Sequence, residues 1–378
     1  MRRTAAVLAS LLTVCLASCG SSQASSTSPP DSPSPPARSG ASPPSGTPDK
    51  LATEAAYAFL DTYTTDGGRI QRTDQGGDTV GEGQAYGLLA AAAVGDEQRF
   101  DRIWSWTKSN MLDSNGLLAF HWASGRVVDA QPAADADLDA ARALLVGACR
   151  FNRSDLRSAA VRIGDAVLAH ETARAGSIDV LLAGPWANMG PHFVFNPSYV
   201  DPTTLEALAT ASGNSRFRDV AAGGRQLVNE LTRPLPPDWA IVSTATGQAT
   251  PVSAAASTSG PGAFTYDAPR TLVRFALDQD PAGRGAVARA WGVFKYTQPQ
   301  DIVTEHQLSG APIGTSHDAV TIVAAAGAAK AAGDTGAVPR LLAEAQQLNA
   351  QHPTYYGSAW VALGRLLLTT NRLQPCGS

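Results

Sequence analysis

The chain has 378 residues, 44% of them hydrophobic, and carries 29 Lys and Arg against 33 Asp and Glu for a formal net charge of −4. Past Arg2 and Arg3 it has no basic run, which excludes the electrostatic footprint of a nucleic-acid binder and leaves an uncharged polymer or a small molecule as the fitting partner. The six histidines show no ligand-like spacing with one another or with the four cysteines, so no metal site is expected.

Arg2 and Arg3 precede an apolar stretch from Ala5 to Leu16, and Leu16-Ala17-Ser18-Cys19 closes it. The stretch is too short and too quickly ended for a membrane span. It resembles a bacterial lipoprotein signal, which implies cleavage before Cys19 and lipid attachment to that thiol; an ordinary secretory signal cut nearby is the alternative. Either way the protein is expected outside the cytoplasm. From Gly20 to Pro48 the chain is nearly all Ser, Pro, Ala, Gly and Thr, too poor in apolar residues to offset the entropy of ordering. Residues 1–18 thus read as signal, 19–48 as a tether to a membrane surface, and 49–375 as the folded domain. Within that domain Cys149 is expected to be buried and Cys376 loose, with pairing of the two as the alternative.

Apolar residues then recur at three- and four-residue spacing, as in Leu138, Ala141, Leu144, Leu145 and Ala148. The pattern predicts helices near 50–65, 82–94, 97–110, 136–150, 154–170, 202–213, 215–231, 268–278, 284–296, 316–332, 337–350 and 355–370. Asp49, Ser154, Asp201, Ser215 and Ser316 are the expected caps. Some twelve Ala-rich helices without a fixed-period repeat fit two concentric rings of six, an all-α (α/α)6 barrel. Long loops at 111–134, 176–201 and 233–266 are rich in Gly, Pro, Asn and aromatics, as functional loops are.

Three acidic motifs punctuate these elements: GEGQAYG at 81–87, DADLDAAR at 135–142 and TYDAPR at 265–270. Glu82 lies between two glycines at a helix start, where the helix dipole alone would favour an acid. Asp135, Asp137 and Asp139 alternate into a helix without the glycine turn of a calcium loop; capping by one and pairing of Asp139 with Arg142 are the structural readings. Asp267 stands two before Pro269, a good capping position, and Arg270 follows where it can orient a carboxylate or a sugar hydroxyl.

Together the motifs resemble glycoside hydrolase family 8. GEGQAYGLLAAAAVGD is similar to its glutamate block, DADLDAARALLVGACRF to its signature and YDAPR to its third acidic block, with NPSYVDP at 196–202 and YYGSAW at 355–360 as further landmarks. The resemblance runs from about 51 to 370 and looks closest to the endoglucanases of bacterial cellulose production. It implies an (α/α)6 barrel with an open cleft, inversion at the anomeric carbon and no cofactor. It further implies Glu82 as general acid, Asp267 as general base, Asp135 as holder of the sugar with Asp137 close by, and Arg270 and Tyr199 lining the same region. Ala134, Ala140, Gly147 and Pro269 depart from the family pattern without removing a carboxylate.

Chemistry adds two expectations. The acid must keep its proton, so Glu82 should be desolvated or near a carboxylate such as Asp135, while Arg270 helps Asp267 stay ionised. Sugar rings stack on aromatics, and Tyr86, Trp122, Trp186 and Tyr266 lie on or near the motifs, whereas Trp104 and Trp106 read as core. The expected protein is a monomeric endo-β-1,4-glucanase acting on cellulose or a related β-linked polysaccharide. Chitosan, lichenan or xylan as the polymer, and a polysaccharide-binding lipoprotein without catalysis, are the alternatives.

Overall fold

A computed structural model describes residues 46–375, all within one compact unit. The signal, Cys19, most of the tether and Cys376 lie outside the described residues. The helices are α1 (Pro48–Tyr63), α2 (Gly81–Val94), α3 (Glu97–Asn110), α4 (Ala134–Arg150), α5 (Ser154–His170) and α6 (Pro202–Ser212). They continue with α7 (Arg216–Leu231), α8 (Ala268–Phe275), α9 (Pro281–Ala288), α10 (Trp291–Phe294), α11 (Ala319–Ala331), α12 (Ala337–Gln351) and α13 (Tyr355–Thr369). Counting the four-residue α10 with α9, this is the expected dozen.

Their arrangement follows from which faces are apolar. A helix apolar all round must be buried, whereas one with a single apolar stripe lies at a surface. Most of α2, α4, α11 and α13 is buried, and so are all eight residues of α8, whose Arg270 and Arg274 are paired with buried carboxylates. With α6 these helices form a closed inner ring, in which α2 packs on α4, α4 on α6, α6 on α8, α8 on α11, α11 on α13 and α13 on α2. Alanines from Ala90 to Ala93 and from Ala324 to Ala326 keep the inner helices thin enough to crowd the axis. The outer helices are striped: α7 buries Phe217, Val220, Ala221, Leu227 and Val228 while exposing Arg218, Asp219 and Gln226. The fold is an (α/α)6 barrel. Because inner and outer helices alternate along the chain, the inner six run in one direction and their N-termini gather at one mouth.

Several local expectations need correction. Thr47 caps α1 in place of Asp49, and Asp318, accepting from the Thr321 N–H at 2.7 Å, caps α11 in place of Ser316. Ser154 is the first residue of α5 rather than its cap; Asp201 does cap α6, and Ser215 stands at the α7 cap position without a side-chain bond. Cys149 is exposed and disulfide-bonded, not a buried thiol, and its partner lies outside the described residues.

The long loops fold into small antiparallel sheets. β1 (Thr79–Val80), β2 (His121–Ala123) and β3 (Arg126–Asp129) form one, and β4 (Thr172–Ala175) with β5 (Ile178–Leu181) a second. β6 (His192–Phe195), β7 (Trp239–Ser243) and β8 (Ala249–Val252) form a third; β9 (Ala263–Phe264), β10 (Glu305–Gln307) and β11 (Pro312–Ile313) a fourth. The third matters most here. Its β6 runs directly into Asn196, and β7 begins directly after Asp238.

Candidate active site

The acidic motifs meet where inner helices begin. Glu82 is in the first turn of α2, Asp135 in the first turn of α4 and Asp267 at the N-cap position of α8; Tyr355 and Tyr356 open α13. The glycines around Glu82 are packing requirements. A Cβ on Gly81 would stand 2.9 Å from the Ala119 carbonyl oxygen, and one on Gly83 only 2.5 Å from the Tyr355 hydroxyl. Any larger residue would push the start of α2, and Glu82 with it, out of place.

One guanidinium organises the carboxylates. Arg270, 1% exposed, donates from Nη1 to Asp135 Oδ2 at 2.6 Å and to Glu82 Oε2 at 3.2 Å, and from Nη2 to Asp267 Oδ1 at 2.5 Å. Glu82 and Asp267 therefore sit on different nitrogens of the same cation, facing a cavity of about 300 Å³. Arg72, Phe120, Asp135, Tyr199 and Trp239 share its walls. Asn196 Nδ2 donates to Asp267 Oδ2 at 3.3 Å, and the Tyr86 hydroxyl to Glu82 Oε2 at 3.5 Å.

Burial sets the protonation of these groups. It raises Glu82 from 4.5 to about 7; Arg270 pulls the other way, while Asp135 and Asp267 add to the rise. Burial likewise raises Asp267, opposed by Arg270 and reinforced by Asp238, and raises Asp135 against Arg270 and Arg274. The expected negative neighbour of Glu82 is thus present, but it ranks behind desolvation. Both carboxyls are raised by burial and opposed by Arg270, and Glu82 keeps its proton to about pH 7, as a general acid must.

A larger cavity of about 690 Å³ lies at the C-terminal ends of α8, α11 and α13. Arg225 and Arg142 in its wall are paired with Asp278 and Asp201, each at 2.8 Å, and Lys330 donates to the Leu368 carbonyl. Size does not make it the reactive site.

Residues 50–370 match the profile of the glycosyl hydrolases of family 8. The chain belongs to that family. A probable endoglucanase of Novacetimonas hansenii is 34% identical over 237 residues, covering 60% of this chain and 67% of that protein. Endoglucanase A of Acetivibrio thermocellus is 28% identical over 329 residues, or 81% of this chain and 65% of that protein. The hydrolase thus spans about two thirds of the length of these relatives. A solved endo-β-1,4-glucanase from Acetobacter xylinum superposes with a TM-score of 0.72 at 27% identity, covering 85% of this chain and 98% of that one.

Within this family 8 hydrolase the structure gathers Glu82, Asp135, Asp267, Tyr199 and Arg270 at one cavity and sets other expected residues apart. Tyr86 is fully buried, so its ring offers no stacking face; it works through its hydroxyl, which also accepts from Arg270 at 3.4 Å. Trp122 is edge-on to Trp106 with the Arg69 guanidinium over its ring, outside the cavity wall. Trp186 donates to the Pro132 carbonyl at 2.9 Å and lines a separate cavity with Asp113 and His170. Tyr266 is 58% exposed and donates to Glu305 at 3.2 Å. Trp104 is core as expected, whereas Trp106 is only half-buried.

The alternating aspartates take roles that spacing did not reveal. None caps α4. Asp139 pairs bidentately with Arg274 at 2.7 and 2.8 Å instead of with Arg142. Asp137 turns away from the cavity and accepts from the Leu118 N–H at 2.8 Å, leaving its other oxygen without a hydrogen-bond partner, as are both oxygens of the buried Glu171. Burial, and then Asp137, lifts the Glu171 carboxyl well above its usual range. Its proton therefore favours the folded state. That stability is complete below the unfolded pKa near ~4.3 and is lost as pH rises through the folded one. Accordingly, as pH rises above the unfolded value the Tm of Glu171→Gln should fall less steeply than that of the parent; parallel curves would mean Glu171 is ionised in the fold.

Arg72, Phe120, Asp238 and Trp239 are not singled out by the sequence, which marks Asn196 only within the NPSYVDP landmark. Asn196 before Pro197 is a turn signal that could have been found, since its side chain accepts from the Ser198 N–H at 2.9 Å. Arg72 and Asp238 carry no local signal.

Proposed function

We propose that the protein is an inverting endo-β-1,4-glucanase that hydrolyses cellulose or a related β-glucan outside the cytoplasm. The observation that carries the reading is the suspension of Glu82 and Asp267 from one arginine across an open cavity, with Glu82 protonated to about pH 7. Glu82 is the general acid that gives its proton to the departing glycosidic oxygen. Asp267 is the general base that takes a proton from water attacking the anomeric carbon on the opposite face of the ring. An inverting pair stands roughly 6.5–9.5 Å apart to admit that water. Asp135 orients the sugar at the scissile bond, Trp239 and Phe120 supply faces for its neighbours, and the Tyr199 ring, under the Arg270 guanidinium at 5.4 Å, holds that cation in place. The likeness to the Acetobacter xylinum endo-β-1,4-glucanase supports the β-1,4-glucan preference, and the Novacetimonas hansenii likeness supports endoglucanase action.

The test is reducing-end release by the purified protein from carboxymethylcellulose, lichenan, xylan and chitosan, with NMR of the first-formed anomer. Release from carboxymethylcellulose with the α-anomer appearing first is expected. A β-anomer would sink the inverting mechanism, preference for another polymer would move the substrate, and binding without release would leave a polysaccharide-binding protein. The Cys19 motif supports anchoring by a lipid ahead of the tether. Cys19→Ser should then lose labelled palmitate and leave the membrane fraction; unchanged labelling would refute the anchor.

A further inference from the structure

Asp267 occupies the N-cap position of α8 yet makes no capping bond with its side chain. An aspartate there ordinarily accepts from the second or third backbone N–H of the helix. Here Pro269 has no N–H to offer, and the Arg270 N–H is taken by the Asp267 carbonyl at 3.1 Å. The remaining donors go to a residue 29 positions earlier in the chain. Asp238 Oδ1 accepts from the N–H groups of Asp267 at 3.1 Å, Ala268 at 2.7 Å and Thr265 at 3.1 Å, and its Oδ2 accepts from the Thr265 hydroxyl.

Asp238 is itself held. Its N–H donates to the Ala263 carbonyl at 2.8 Å, and β7 behind it is laddered to β6, with Ala240 opposite Phe195. The residue after Phe195 is Asn196, the other support of the Asp267 carboxyl. Both supports thus come off neighbouring strands of one sheet, and a slip between those strands would move the base.

We propose that Asp238 is a positioning residue for the general base: by capping α8 in place of Asp267, it leaves the Asp267 carboxyl free to project into the cleft. The proposal rests on the assignment of Asp267 as base. Asp238 also acts through its charge. The charged or titratable groups around Asp267 are Arg270 on its own helix, Glu82 on α2, Asp135 on α4, Tyr199 before α6, Tyr356 on α13 and Asp238. Removing the Asp238 charge takes away one of the influences that raise Asp267.

The experiment compares Asp238→Ala, Asp238→Asn and Asp267→Asn with the parent for kcat, KM and the pH dependence of kcat/KM on the preferred polymer. Asp238→Ala is expected to lose kcat by about ten-fold or more at near-constant KM, as a displaced catalytic group does. Asp238→Asn should recover most of that loss, because an amide oxygen accepts the same three N–H bonds and its NH2 can donate to the Thr265 hydroxyl. Its acid limb should move to lower pH. Parent-like kcat in Asp238→Ala would overturn the positioning role; should that variant not fold, a kcat in Asp238→Asn as low as in Asp267→Asn would overturn it instead, because the amide keeps every capping bond. Asp267→Asn separates the two readings: if it stays active, the base assignment falls, whereas if it is dead beside an active Asp238→Ala, only the positioning falls.

Discussion

Replacing Glu82 by Gln is expected to lower kcat on a polymer by about 10²–10⁴-fold, the range that a general acid contributes, with binding retained. The amide has the volume of the acid and still offers an oxygen to Arg270 Nη1, so the cavity keeps its shape and loses only the proton. A β-glucoside with a dinitrophenolate leaving group needs no protonation to depart, and Glu82→Gln should cleave it at nearly the parent rate. Asp267→Asn should not, because the attacking water still needs its base. Equal loss on both substrates would show that Glu82 acts by something other than proton donation.

The same residue sets one limb of the pH profile. As the proposed acid, Glu82 must be protonated, so activity should fall as pH rises through about 7. Asp267 must be ionised, so activity should also fall as pH drops through its raised pKa. Asp135 helps to lift Glu82, so Asp135→Asn should move the alkaline limb toward lower pH. A limb left in place would mean that burial alone tunes the acid.

Arg270→Met is expected to destabilise the fold by about 3–5 kcal/mol at neutral pH and to abolish hydrolysis, because it leaves buried carboxylates without their cation. Asp135 is 4% exposed in its side chain, Glu82 21% and Asp267 28%, so most of the effect falls on Asp135. The pH dependence carries the diagnosis. Without Arg270 the folded carboxyls hold their protons still more tightly, so their contribution is favourable below the unfolded pKa and is lost as pH rises. The Tm deficit of Arg270→Met should therefore shrink toward acid pH. A deficit constant with pH would point to lost packing instead. Arg270→Lys should fold better than Arg270→Met but remain nearly inactive, since one ammonium cannot hold carboxylates on two diverging nitrogens.

Some of this molecule is legible from neighbouring residues alone. The dozen helices were, because an apolar stripe at 3.6-residue spacing needs only its own segment, and the barrel followed from their number and their alanines. Glu82, Asp135 and Asp267 stood out because each sits in a short motif at a helix start, where small residues leave room around an acid. Tyr86 illustrates the limit. Its place one turn after Glu82 was plain, but only packing against Trp360, ring centroids 5.8 Å apart, shows that its face is covered. Trp186 illustrates it again: an indole in a glycine-rich loop looks like part of the same cleft, but it lines a separate cavity with Asp113 and His170.

The sequence by itself determined the family, the helical class and the identities of the three carboxyl groups, all of which are properties of contiguous residues. Only the tertiary structure decided which cation joins those carboxyls, that Asp137 leaves the cleft for a buried place near Glu171, and that Asp238 takes over the capping that Asp267 declines. Arg270 lies 188 residues from Glu82 and 135 from Asp135. Charge pairing and desolvation depend on distance in space, and a closed ring of helices sets that distance without leaving a local mark.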